Sequence, residues 1–299
     1  MKSLKVKHID AFTSKAFAGN PAAVVLSGDG LTEQQMQNIA REMNLSETVF
    51  VLPPSNKHAD LRLRWFTPAN EVALCGHATI ASFHALAEEN LYGMKKNGSY
   101  PFHLETASGI LDVLVVKDNG RATVKFALPM PRFKKNQHLK TDFLTSLGIR
   151  DNDFDKRLPC VSWVNAYLPV RRLSVLYDMR PDFQLIKKVL LHKKLLGVCI
   201  FSTETIDRSS TFHSRFFAPN DGIDEDPVTG SANGPLGVYM VVQGLVGKSE
   251  GLIKMIGEQG DAIGRPGRIK VEVHVEHGKP KSVAIVGSAV TVLEGLLTL

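Results

Sequence analysis

Residues 59–66 (Ala-Asp-Leu-Arg-Leu-Arg-Trp-Phe) alternate apolar and charged side chains with a period of two, the pattern of a strand with one buried face. Similar signals predict strands at 5–11, 22–26, 48–52, 111–117, 123–128, 210–217, 269–274 and 282–286, so strands outnumber helices. A helix opens at Thr32, which forms a capping box with Gln35. Met36, Ile39, Ala40 and Met43 follow at helical spacing, giving an amphipathic, peripheral element. Residues 78–87 and 232–242 are apolar on all sides, the mark of helices enclosed by other structure.

These two helices belong to an internal repeat. Arg64-Trp65-Phe66-Thr67-Pro68 matches Arg215-Phe216-Phe217-Ala218-Pro219. Each copy then runs through an acidic loop, with Glu71 in the first and Asp224, Glu225 and Asp226 in the second, and reaches Gly76 or Gly230 at the head of its apolar helix. Such a period is too long for a solenoid and suits a duplicated domain. The proline-containing basic stretch 129–138 is the best linker between the copies.

A length of 299 residues fits two domains, each able to bury its own core. With 43% hydrophobic and 22% charged residues, the composition is that of an ordinary soluble protein. The three cysteines (Cys75, Cys160, Cys199) are odd in number and form no C-x-x-C pair, which argues against a disulfide framework and points to a reducing cytoplasm. The first ten residues alternate lysines with apolar side chains and contain no long apolar run, so no membrane association is expected. The net charge of +6 comes from scattered lysines rather than a basic stripe, which favours small anionic substrates and not nucleic acid.

A helix that starts at a glycine after a loop presents unpaired N–H groups and the positive end of its dipole, and so attracts a carboxylate. His77 and Ser231 hold equivalent positions at two such starts. The same glycines read equally well as turn residues, with His77 a helix cap. Glu47, flanked by Leu45, Val49 and Phe50 at a helix–strand junction, is a candidate acid/base, although the local sequence alone favours a surface glutamate. Asp226 either orients polar groups or serves loop turn chemistry, and Asn20 in Gly19-Asn20-Pro21 faces a cleft or makes a turn. No phosphate-binding glycine spacing is present. The histidines show no metal-ligand spacing, His274 and His277 reading as a solvated strand end, so neither cofactor nor metal is expected.

Gly19-Asn20-Pro21-Ala22-Ala23-Val24-Val25, Asn44-Leu45-Ser46-Glu47-Thr48, Arg64-Trp65-Phe66-Thr67-Pro68, Cys75-Gly76-His77-Ala78-Thr79 and Glu225-Asp226-Pro227-Val228-Thr229-Gly230-Ser231-Ala232 occur in this order. Together they resemble the PhzF family of phenazine-biosynthesis-like isomerases. The resemblance extends through Gln259-Gly260 and Gly264-Arg265-Pro266 to the closing strands, nearly the whole chain. It implies a mixed α/β (α+β), diaminopimelate-epimerase-like fold: two pseudo-symmetric domains, each a curled sheet around a central helix, with the site in the cleft between them. The implied domains are 1–128 plus about 280–299, carrying Glu47 and His77, and 129–279, carrying Asp226 and Ser231.

By resemblance, Glu47 is similar to a proton-shuttling glutamate, with His77 and Asp226 as further catalytic residues. Asn20, Gly76, Gly230, Ser231 and Ala232 are implied to bind substrate. The implied activity is a cofactor-independent isomerisation of a small cyclic or unsaturated carboxylic acid, like that of trans-2,3-dihydro-3-hydroxyanthranilate, in a cytoplasmic homodimer with a biosynthetic role. Two alternatives stand beside it. Related epimerases and racemases of this fold use paired cysteines; Cys75 stands where one would lie, but Thr229 precedes Gly230 in the other copy, which leaves a one-sided epimerase or dehydratase. Cys75 reads otherwise as a small buried side chain. The second alternative is a non-catalytic metabolite-binding or interaction protein.

Overall fold

The computed structural model describes residues 3–136, 138–247 and 250–299. The chain divides into two compact units, Met1–Ala127 with Ile285–Leu299 and Leu128–Ala284. The first contains β1 (Ser3–Ala11), β2 (Asn20–Val25), α1 (Glu33–Met43), β3 (Glu47–Leu52), β4 (Leu61–Phe66), β5 (Glu71–Val72), α2 (Gly76–Glu88), β6 (Gly98–Thr106), β7 (Gly109–Asp118) and β8 (Arg121–Leu128). The second contains β9 (Lys134–Lys135), α3 (His138–Leu147), β10 (Val161–Ser162), β11 (Ala166–Pro169), α4 (Leu173–Asp178), α5 (Phe183–Lys193), β12 (Val198–Ser202), β13 (Phe212–Ala218), β14 (Ile223–Asp226), α6 (Gly230–Val242), β15 (Gly251–Gln259) and β16 (Gly267–Glu276). The final strand, β17 (Lys279–Thr298), begins in the second unit and ends in the first.

In the first unit β17 pairs with β1, and pairing continues through β2, β3, β4, β6, β7 and β8. Strand β8 pairs with β17 again, so the sheet closes and leaves no edge in this circuit. Two of its junctions, β2–β3 and β4–β6, are parallel. Parallel neighbours need crossovers, and α1 and α2 supply them. Asn119 and Gly120 connect β7 to β8 with φ of 48° and 78°, the two positive angles that a two-residue hairpin of right-handed twist demands.

Helix α2 lies against β1, β2 and β3, and every residue from His77 to Ala87 is buried. Its alanines let the strands approach on all sides. Its polar Thr79 and Ser82 satisfy their hydroxyls on the carbonyls of Cys75 and Ala78, one turn back. Lys117 is buried and donates to the carbonyls of Ala87 and Met94, capping the negative end of the helix with a cation.

At the same helix end Lys7, with only 2% of its side chain exposed, meets Glu88 at 2.6 Å, Glu89 at 2.5 Å and Glu294 at 3.0 Å. Replacing Lys7 by Met leaves three neighbouring carboxylates without their common cation. We expect a loss of about 2 kcal/mol at neutral pH, less than for a fully buried pair because the carboxylates reach water. Burial pushes the Glu88 carboxyl up, but its bonds to Lys7 and Thr291 outweigh this and hold it below the usual range. A lowered folded pKa stabilises above the unfolded value and stops doing so as pH falls through the folded one. Thermal melts of the two proteins should therefore converge below about pH 4. A gap of constant size would refute the assignment.

The second unit repeats this plan. Strands β11 and β12 are parallel, like β2 and β3; β12–β13 and β13–β14 are antiparallel, like β3–β4 and β4–β5; β13–β15 is parallel, like β4–β6. Helix α6 takes the place of α2, packs on β16 and is buried from Ala232 to Met240. The repeat reaches individual side chains. Arg64 forms a two-pronged pair with Glu71 and lies over Phe66; Arg215 does the same with Glu225 and Phe217. Glu105 accepts the N–H groups of Ser55 and Asn56, as Glu258 accepts those of Ile206 and Asp207. The acidic loops of the sequence repeat thus supply ion-pair partners that fix the local turn.

The capping box at Thr32 is present. Several elements escape the two-residue period for physical reasons. Strand β6 contains Pro101, which argues against a strand interior, and β12 is buried throughout and shows no alternation. Helix α5 carries a cap at Asp182 and a buried Ile186–Leu190 pair. The stretch read as a linker holds β9, which pairs with β10; its residue 137 lies outside the described residues, as do Met1 and Lys2 of the amino-terminal segment. Among the described residues no helix is long and apolar enough to cross a membrane.

Candidate active site

Strands β2 and β3 run in parallel, with Ala22 opposite Glu47, so their first residues, Asn20 and Glu47, lie at the same end of the sheet. Helix α2 packs on both strands and brings its N-terminal turn to that end. There His77 Nε2 stands 3.0 Å from Glu47 Oε2, and Asn20 Nδ2 stands 3.1 Å from His77 Nδ1. Cys75, the N-cap residue of α2, places its Sγ 3.4 Å from the same Nδ1. Glu47, Cys75 and His77 are 7%, 7% and 5% exposed, and Asn20 is fully buried. Gly76 is half-buried between Cys75 and His77.

Glu47 is therefore a buried carboxyl group, not a surface glutamate. The approach of His77 meets the distance of a hydrogen bond but not its direction, and Glu47 Oε2 is buried without one. A buried polar atom left in this condition calls for a functional explanation. Burial disfavours a charged imidazole at His77, yet Cys75 and Glu47 beside it raise its pKa well above the usual histidine range. Burial, reinforced by Glu47, pushes the Cys75 thiol up. Desolvation thus outweighs the lowering that a helix start gives a thiol.

In the second unit Asp226 ends β14 and is 6% exposed. Its Oδ2 accepts from Thr229 Oγ1 at 2.5 Å. Gln259, 1% exposed, ties this turn together: Oε1 accepts from Thr229 N at 3.1 Å and from Asn233 Nδ2 at 2.6 Å, while Nε2 donates to Asp226 O at 2.7 Å. Helix α6 then starts at Gly230, with Ser231 exposed and Ala232 buried. The first intrahelical bonds to Thr229 O come from Ala232 and Asn233, so Gly230 and Ser231 carry the amides that a helix start leaves unpaired within the helix.

Among the residues expected from the sequence, Asn20, Glu47, Gly76 and His77 come together in the first unit, and Asp226, Gly230, Ser231 and Ala232 in the second. Residue-by-residue reading misses Asn233 and does not connect Cys75 to His77. The signal for Asn233 was a lone amide inside an otherwise apolar helix, which must find a partner when buried.

Residues 9–295 match the family described as phenazine biosynthesis-like protein, PhzC-PhzF. The chain is 38% identical to a Bacillus subtilis protein named as an uncharacterized isomerase, over 97% of both chains. It is similar to the crystal structure of the PhzF-family phenazine biosynthesis protein of Bacillus anthracis, with a TM-score of 0.88 and 37% identity over 100% of each chain. A hydroxyproline epimerase from Agrobacterium vitis, 12% identical with a TM-score of 0.59 over 99% of this chain and 92% of that one, shares the fold alone. The mixed α/β, epimerase-like fold expected from the sequence is the fold found. The chain belongs to the phenazine biosynthesis-like (PhzC-PhzF) family of isomerases.

Proposed function

We propose that the protein isomerises a small cyclic or unsaturated carboxylic acid by moving a proton between two carbons, with Glu47 as the shuttle and no cofactor needed for the transfer. The observation that carries this is the Glu47 carboxyl group, buried beside His77 with Oε2 lacking a hydrogen bond. Glu47 takes the proton from a carbon made acidic by adjacent unsaturation. The electron pair left behind shifts the double bond, and Glu47, whose acquired proton exchanges with solvent while it is held, protonates the carbon at the far end. His77 and Asp226 hold the substrate's polar groups, with Asn20 and Gly76 beside His77. The amides of Gly230 and Ser231, next to Ala232, bind its carboxylate. The reading includes a cytoplasmic homodimer, so sedimentation should give twice the chain mass of 32.8 kDa.

The test is deuterium uptake from D₂O, followed by NMR, over a panel of small cyclic acids that includes dihydro-hydroxyanthranilate. Uptake coupled to a shifted double bond supports the reading. Saturable binding of panel members without uptake into any of them favours a binding protein.

The 3.4 Å approach of Cys75 Sγ to His77 Nδ1 favours a second reading, proton removal by the thiol in an epimerase or dehydratase. The two readings part at Cys75→Ala. Under the glutamate shuttle this variant keeps its rate within about threefold, since a buried neutral thiol is mainly packing. A thiol base would show a fall of about 10²-fold or more, with exchange at an α-carbon and no net isomerisation.

A further inference from the structure

We infer that Glu47, Cys75 and His77 form a binding site for a single zinc ion, and that zinc bound there inhibits the enzyme. The three side chains each offer one ligand atom, and these atoms all lie within 4.8 Å of one another. Four-coordinate zinc has bonds of about 2.0–2.3 Å, so its ligand atoms stand about 3.3–3.8 Å apart. His77 Nε2 lies 3.0 Å from Glu47 Oε2 and 4.0 Å from Cys75 Sγ, within a few tenths of an ångström of those edges. The third edge, from Cys75 Sγ to the Glu47 oxygen, lies within 4.8 Å, so a bound metal draws these two atoms together.

Two independent features point to a cation rather than to packing alone. Glu47 Oε2 is buried and receives no hydrogen bond even from the His77 ring 3.0 Å away, which leaves its lone pairs open to a metal. The donor set of one sulfur, one imidazole nitrogen and one carboxylate oxygen suits a borderline-soft metal such as zinc, whereas magnesium and calcium take oxygen ligands. Three protein ligands leave a fourth position open, as in catalytic zinc sites. On binding, two protons are released to solvent, one from the Cys75 thiol, which coordinates as thiolate, and one from His77 Nε2, which coordinates as a neutral imidazole nitrogen.

The inhibitory sign rests on the proposed function. Zinc would occupy both the carboxyl group that moves the proton and the imidazole beside it. The metal site itself does not depend on that reading, and its assay needs no substrate.

The full-length protein, stripped with a chelator, is titrated with Co²⁺ as a spectroscopic probe and with Zn²⁺ against a chromophoric competitor. The expected result is one equivalent bound, with a thiolate-to-cobalt charge-transfer band in the near ultraviolet. The band is lost in Cys75→Ser and kept in Cys160→Ser. Zinc affinity falls at least about tenfold in Cys75→Ser and in Glu47→Gln, the least expected of a lost ligand when outer partners alone are worth 10–100-fold. One equivalent of zinc stops deuterium exchange in the wild type and leaves it in Cys75→Ser. Absence of the band, or its survival in Cys75→Ser, overturns the site. If Cys75→Ser does not fold, undiminished affinity in Glu47→Gln overturns it equally. Metal binding without inhibition refutes the inhibitory role, while exchange that survives Glu47→Gln sinks the shuttle and leaves the metal site standing.

Discussion

Glu47→Gln is expected to slow deuterium exchange into the substrate by 10²- to 10⁴-fold, the usual contribution of a positioned acid/base, which corresponds to about 3–5 kcal/mol of barrier. The amide keeps the size and planarity of the carboxyl group, so the closed sheet that starts β3 at this residue should remain intact. What it loses is the capacity to accept and return a proton. Near-ultraviolet circular dichroism unchanged from the wild type would show that packing around Glu47, Thr48 and Val49 survives. Substrate binding, which the proposal places on His77, Asp226 and the amides of Gly230 and Ser231, should change far less than the rate. Exchange that persists within about tenfold of the wild type would remove Glu47 from the chemistry.

Gly260→Ala is expected to destabilise the second unit by about 2–5 kcal/mol. Two effects add. Gly260 has φ of +88°, a conformation that costs a residue with a Cβ about 1–2 kcal/mol. A Cβ built there would also stand 2.2 Å from the carbonyl oxygen of Arg265 and 2.7 Å from that of Pro227, and neither is a flexible side-chain end. Backbone must therefore move, at a further cost of about 1–3 kcal/mol.

Gly222→Ala separates the two contributions. Gly222 has φ of +80° with nothing within 4 Å of its would-be Cβ, so it should show the conformational cost alone. For units of this size the expected falls in melting temperature are about 4–20 °C for Gly260→Ala and about 2–8 °C for Gly222→Ala, the first the larger of the two in any one preparation. Equal shifts would disprove the overlap argument. Gly260 follows Gln259, whose amide holds Thr229, Asn233 and Asp226, so a shifted turn should also lower activity. Gly222→Ala, outside that clamp, should leave activity unchanged.

Where local forces decide structure, the amino-acid sequence was enough. Thr32 and Gln35 cap α1 whatever surrounds them, because both bonds close within four residues. The all-round apolar surfaces of 78–87 and 232–242 required enclosure before any strand order was known, since such helices have no face to give to water. The Arg-x-Phe-x-Pro repeat announced the duplication, and its ordered motifs carried the family. Strands with no alternation, such as β12, or with an internal proline, such as β6, were illegible because their burial or pairing is imposed by neighbours far along the chain.

The candidate site divides in the same way. His77 and Ser231 after the glycines at the two helix heads were readable, because a helix start is local, whereas the contact of Cys75 with His77 was not drawn from the sequence. That Glu47 is buried against His77, thirty residues away, was not, because it depends on the parallel pairing of β2 with β3 and on the docking of α2 across both. Local sequence placed a hydrophilic side chain at a helix–strand junction and favoured solvent. The state of Cys75 was likewise decided by tertiary structure: a helix start lowers a thiol's pKa, but its closed surroundings and the adjacent carboxyl group raise it further. Sequence determines which residues are chemically capable and which short-range bonds they make. Desolvation and long-range pairing, which exist only once strands and helix have closed around one another, decide which of them are placed to act.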